Sequence, residues 1–338
     1  MGTGHAVVLI NVEEILINPL IVVRDIHYAT SVIVAGIVFF ELFIAAPSLQ
    51  TNLRLPATES SFREQTGRIL WISLILSIAS ALAWLCLVAA RIAAKPVETV
   101  IADGTVWTVL LQTQFGLSWG MRILLGILLG ACLLLRPKNE ARSWQRVLAA
   151  LLAGGYLGAL AFAGHGEEGL GFERDFHLAA DFLHLLAAGL WLGGLIPLAL
   201  LLAHLQRFRE EQWVTAACHA ASRFSFLGIL AVGILIITGT INVSFLVGGI
   251  SGLTDTTYGR LLLLKIALFI VMFGVATVNR QYLLPRLCAK AGIDQGLLTN
   301  ERLVRSTLVE IALGLCIIAI VGVLGIMAPA IDMSAHIH

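Results

Sequence analysis

Eight stretches of about 20 predominantly apolar residues run through the sequence, each long enough for a helix to cross a hydrocarbon layer roughly 30 Å thick. They lie at approximately 26–46, 69–90, 118–135, 147–164, 180–203, 224–247, 261–284 and 303–328. In lipid, backbone N–H and C=O groups must satisfy one another, so stretches of this kind are predicted to be helices. The expectation is an all-α integral membrane protein, a bundle of eight transmembrane helices. With 58% hydrophobic and 13% charged residues, the chain has too little polar content to cover a soluble globule. Residues 6–23 are also apolar, but Asn11, Glu13, Glu14, Asn18 and Pro19 interrupt them. That pattern predicts a segment lying at the interface. One polytopic domain is expected: an interfacial segment over 1–25, the bundle over 26–328 and a tail over 329–338. The N-terminus lacks the basic region of a signal peptide and is expected to be retained.

Lys and Arg set the orientation, because cytoplasmic loops retain them. The alternate segments 47–68, 136–146, 204–223 and 280–305 hold fifteen; the opposite set, with both termini, holds Arg24, Arg91, Lys95, Arg174 and Arg260. Both termini are therefore expected on the outer, periplasmic side. Trp84, Trp107 and Trp119 then fall towards the outer interface and Trp71, Trp144 and Trp213 towards the inner one, leaving Trp191 in mid-membrane.

Within the fifth stretch, FHLAADFLHLLAAGLWLGGLIPLALLL from Phe176, a rotation of about 100° per residue puts His177, Asp181, His184, Ala188 and Trp191 on one stripe. An ionisable side chain inside a membrane costs a few kcal/mol and faces a partner or a wet cavity. Neutral imidazole suits Cu, Zn, Fe and Ni, and an acid one turn away can ligate or orient a ring. The bland alternative is three polar groups satisfied by neighbouring helices. Under the expected topology His27 also lies at the outer end, and Met121, Met327 and Met333 add thioethers suited to Cu(I). The tail MAPAIDMSAHIH adds His336 and His338, a short biased tract that either captures metal or is an ordinary chain end. Glu41 and Glu310, in the inner halves of the first and last spans, with Trp191 between, suggest a translocation path. The alternative for both acids is pairing with a base such as Arg280.

Other chemistries have no foothold. A net charge of +1 without a basic run argues against a nucleic-acid partner, leaving lipid as the surrounding medium. Cys86, Cys132, Cys218, Cys288 and Cys316 form no CxxC pair, so no disulfide framework is indicated and each reads as a small buried hydrophobe. No P-loop, HExxH or Ser/His/Asp order appears, and no enzyme is expected. The pairs Gly126/Gly130, Gly154/Gly158 and Gly189/Gly193 have the spacing that lets membrane helices approach closely.

Three blocks resemble the copper resistance D (CopD) family of bacterial inner-membrane proteins: DFLHLLAAGLWLGGLIPL from Asp181, TGTINV with the later TTYGRLLLLK, and VNRQYLLPRL from Val278. LLQTQFGLSWGMR is a weaker fourth. The resemblance implies a multi-pass inner-membrane protein that moves copper ions, here by uptake from periplasm to cytoplasm. It also implies a separate periplasmic CopC-like copper-binding partner, since the chain has no such β-domain of its own. The alternative from another class is a b-type haem cytochrome with His27 and His184 as axial ligands. Against it, only His204 and His219 lie towards the inner side.

Overall fold

The computed structural model describes residues 18–46, 56–135, 143–163, 171–207, 211–289 and 293–331. Among them there is no strand. Eight helices among the described residues are long and apolar enough to span a membrane: α1 (Pro19–Ala45), α2 (Ser61–Ala93), α3 (Gln114–Leu134), α4 (Ser143–Phe162), α5 (Phe172–His204), α6 (Val214–Val247), α7 (Thr257–Cys288) and α8 (Gln295–Leu324). An even number of spans leaves the start of α1 and the end of α8 at one end, called here the terminal end.

The first span begins at Pro19 and not near 26. Asn18 caps it, its Oδ1 accepting from Leu20 N at 3.0 Å, and Pro19 occupies the first turn, where no amide hydrogen is needed. Asn18 and Pro19, two of the residues that made this segment look interfacial, thus start the helix, and Arg24 one turn on is buried with partners. Its guanidinium donates to Gly325 O at 2.6 Å and Tyr28 Oη at 3.0 Å and lies 4.6 Å from the Trp84 ring centroid. Several other helices also outrun their apolar windows, α5 beginning at Phe172 and the helix containing α2 at Pro56.

α1 is the hub, packing on α2, α4, α5 and α8. It approaches α5 most closely where Gly36 faces Gly193, since a Cβ on either would fall into the other helix's backbone. Here the small-residue pairing read from the sequence has its packing role, although Gly193 finds its partner on α1. One core joins α1 to α2, α3 and α4, and a second joins α5, α6, α7 and α8 to the end of α1. α7 is the least enclosed span, with 11% of its apolar window buried against 67% for α1. Between α2 and α3, short helices Val97–Ala102 and Thr105–Gln112 meet at Asp103. Lys95 Nζ donates to Asp103 at 2.7 Å, and the Thr105 hydroxyl and amide donate at 2.5 and 3.0 Å. The Lys95 bond first, then the Thr105 bonds, hold this carboxyl below the usual carboxylate range.

Candidate functional site

The stripe predicted on α5 faces α6. His177 is 3% exposed and stacks on Phe245 with ring centroids 4.7 Å apart. Its Nε2 has no hydrogen-bond partner and stands 3.9 Å from Asp181 Oδ2, too far for a direct bond. Asp181 accepts from Asn242 Nδ2. Next along the helix, the Thr238 hydroxyl donates to Ile234 O at 2.7 Å, so we assign its oxygen as the acceptor for His184 Nδ1–H at 2.9 Å. That tautomer leaves Nε2 with a free lone pair and a ring held in place, the arrangement in which imidazoles bind metals. Because α5 starts at Phe172, His184 stands twelve residues inside it, roughly 18 Å along the axis and deeper than the sequence windows imply.

His184 lines a cavity of about 520 Å³ between α5, α6, α7 and α8. The wall is apolar apart from His184, Thr240 and Lys265. The Lys265 ammonium lies close enough to Asp181 and to His184 to interact electrostatically with each. A second cavity, of about 90 Å³, lies between the same four helices, and Trp191 and Phe273 line both. Its polar wall includes Ser225, Asn279, Arg280, Thr307 and Glu310. Glu310, 3% exposed, accepts from Asn279 Nδ2 at 2.6 Å. Arg280 turns to Ser225, donating to its carbonyl oxygen and hydroxyl at 3.0 and 2.9 Å. Trp191 stands in a π-helical turn, Gly189–Gly193, and Asn279 opens another, Asn279–Leu283. Such turns insert an extra residue, re-aim side chains and recur at functional sites. Glu41 opens a third, Glu41–Ala45, but lines neither cavity.

His27 belongs to a different cluster. It is fully buried among α1, α2, α3 and α4, with Nδ1 donating to Ser77 O at 2.9 Å and lying 3.0 Å from Ser80 Oγ. Its Nε2 accepts from Arg122 at 2.7 Å. Arg122, equally buried, also donates to Tyr156 O and, at 2.9 Å, to Ser31 Oγ. Both ring nitrogens of His27 are thus engaged, and it does not meet His184. Met121 is 46% exposed on the outside of α3. Met327 packs at the terminal end with Tyr258 and Leu262, the latter also a wall residue of the larger cavity. Met333, His336 and His338 lie outside the described residues. Among the described residues no three His, Cys, Asp or Glu side chains form a metal-holding group.

Sequence reasoning assigned no role to Thr238, Asn242 or Lys265. Thr238 and Asn242 fall in the TGTINV block and Lys265 ends TTYGRLLLLK, and those blocks carried the only signal for them. The five cysteines also need correcting, because Cys218 of α6 and Cys288 of α7 are joined by a disulfide. The bond closes over 70 residues of sequence, a separation that no local pattern discloses.

These features define a polytopic helical membrane protein with two largely apolar cavities in one four-helix group, each carrying a few polar side chains. Residues 15–175 match the family profile "Copper resistance protein D-like, N-terminal domain" and residues 218–324 match "Copper resistance protein D". The chain belongs to the copper resistance protein D family and is a multi-pass inner-membrane protein. It is 29% identical to Copper resistance protein D of Pseudomonas syringae pv. tomato over 315 residues, 92% of this chain and 97% of that one. It is 28% identical to Inner membrane protein YebZ of Escherichia coli (strain K12) over 309 residues, 91% and 98% of the two chains. To Copper transport protein CutJ of Bacillus subtilis (strain 168) it is 32% identical over 196 residues, 57% of this chain and 35% of that one. No solved structure matches. The two profile matches leave out 176–217, so His177, Asp181 and His184 rest on their own geometry.

Proposed function

We propose that the protein carries copper across the inner membrane from periplasm to cytoplasm, using the cavities between α5, α6, α7 and α8 as its route. The observation that carries this reading is their alignment: His184, with one free nitrogen, lines the first, Glu310 the second, and Trp191 both. Copper is cargo, and no covalent chemistry is required of the chain. Relatives bearing the names copper resistance protein D and copper transport protein support the choice of metal.

The ion is received at the terminal end, which the Lys and Arg distribution assigns to the periplasm. Thioether and imidazole groups there, Met327 and His177 and those of the tail, suit copper better than oxygen-seeking Mg²⁺ or Ca²⁺. It then passes to His184. With His177 Nε2 standing 3.9 Å from Asp181 and Lys265 facing the same cavity, no deep trap forms. A conducting site must bind well enough to load and weakly enough to release. Glu310, held by Asn279, takes the ion beyond Trp191. A separate CopC-like periplasmic protein is the proposed donor.

The test uses a copper-responsive reporter gene in cells that express the protein, with a second reporter fused after His338 to fix sidedness. We expect a periplasmic C-terminus, and cytoplasmic copper that rises with the parent but not with His184→Ala at equal membrane abundance. A fall in cytoplasmic copper on expression of the parent would overturn uptake in favour of export.

A further inference from the structure

Cys218 and Cys288 stand at the end of the bundle opposite the termini, on α6 and α7, with Cα atoms 5.3 Å apart. Each stands one helical turn from a residue that lines the smaller cavity. Ala221, one turn from Cys218, and Leu284, one turn from Cys288, both line it, as does Ser225 a turn further in. Both cysteines are partly buried, and the Ser222 hydroxyl lies 3.9 Å from Cys288 Sγ. The pair therefore sits where the route through Glu310 reaches the far face. Cys86, Cys132 and Cys316 are free thiols on other parts of the helices.

That far face carries the Lys and Arg excess, which marks it as cytoplasmic, and the cytoplasm keeps thiols reduced. We propose that, in its dithiol form, the Cys218–Cys288 pair is a two-coordinate Cu(I) site at the exit of the route. This rests on the transport reading above for its place in the sequence of sites, but not for its chemistry. The bridge opens by exchange with two molecules of a low-molecular-weight thiol, which leave as one disulfide while two protein thiols form. One Cu(I) then bonds to both sulfurs, the two thiol protons are released, and copper keeps its oxidation state. Soft thiolate ligands select Cu(I), whereas the imidazole and carboxylate groups upstream are less discriminating. Two helices hold the sulfurs within reach of a single ion, so no ordering of a loop is needed. The same pair closed as a disulfide offers no thiolate, and the site is then shut.

The experiment titrates the full-length protein in detergent with Cu(I) against a coloured Cu(I) chelator, after phosphine reduction and again after reoxidation. The reduced parent is expected to hold one more Cu(I) ion per chain than the reoxidised parent, and one more than reduced Cys218→Ser or Cys288→Ser. His184→Ala should retain this ion, which separates a failure here from a failure of the upstream site. Alkylation and mass analysis confirm which thiols are free in each sample, so a variant that misfolds is not needed for the comparison between reduced and reoxidised parent. Equal Cu(I) in the reduced and reoxidised parent, with both thiols shown to be free after reduction, would overturn the proposal.

Discussion

Replacing Thr238 by Val keeps the branched shape at a helix position that is 3% exposed and removes a single oxygen. That oxygen is the acceptor for His184 Nδ1–H at 2.9 Å, while its own hydrogen goes to Ile234 O at 2.7 Å. The stability change should be small. Ile234 O still has its helical partner, and one net hydrogen bond is worth about 0.5–1.5 kcal/mol. The functional change should be larger. Losing the partner that fixes a ligating ring and its tautomer lowers metal affinity by about 10- to 100-fold, which is about 1.4–2.7 kcal/mol. Thr238→Ser, which restores the acceptor, should recover most of it. The assay is competition for Cu(I), with Ag(I) as a redox-inert check, on purified protein of matched thermal stability. Parent-like affinity in Thr238→Val would refute the assignment of Nε2 as the donor nitrogen.

Other parts of the molecule give separate tests. Gly36→Ala puts a methyl group into the Gly193 backbone and forces α1 and α5 apart, so thermal unfolding in detergent should show a loss of about 1–3 kcal/mol; unchanged stability would mean the helices do not meet there. Glu310→Gln keeps an oxygen for Asn279 and removes the charge, so abundance should hold while copper accumulation falls; unaltered accumulation would remove Glu310 from the route. Asp103 has its carboxyl pKa depressed in the folded protein, so its contribution is present above about pH 4, the unfolded value, and is lost as acid titrates through the lower folded value. Hydrogen exchange at the Thr105 amide should therefore be slower in the parent than in Asp103→Asn at neutral pH, with the gap closing in strong acid; a gap that persists there would contradict the bonding described.

The eight spans were legible because hydropathy over about 20 residues reports the one requirement lipid imposes. Their ends were not, since residues near 56–60 and 172–179 are polar by composition yet helical, and Arg24 is charged yet buried with partners. The stripe of His177, Asp181 and His184 was legible for the same reason that it is a stripe: helical period fixes the face of a single helix. What that face meets is a property of packing between distant segments, so Thr238 and Asn242, more than fifty residues on, acquired roles only in three dimensions. His27 shows the converse. On sequence it resembled the α5 histidines, but it packs among α1, α2, α3 and α4 with both nitrogens bonded, to Ser77 and to Arg122. The π-helical turns at Glu41, Gly189 and Asn279 left no trace in a regular periodicity.

Whether His184 hands copper along α5 can be read from X-ray absorption on copper-loaded protein in a Cys218→Ser background, which removes the thiol pair from the signal. Imidazole scattering from the bound copper is expected in the parent and should be lost, with the metal, in His184→Ala at equal protein. An identical copper content and imidazole signal in His184→Ala would contradict it.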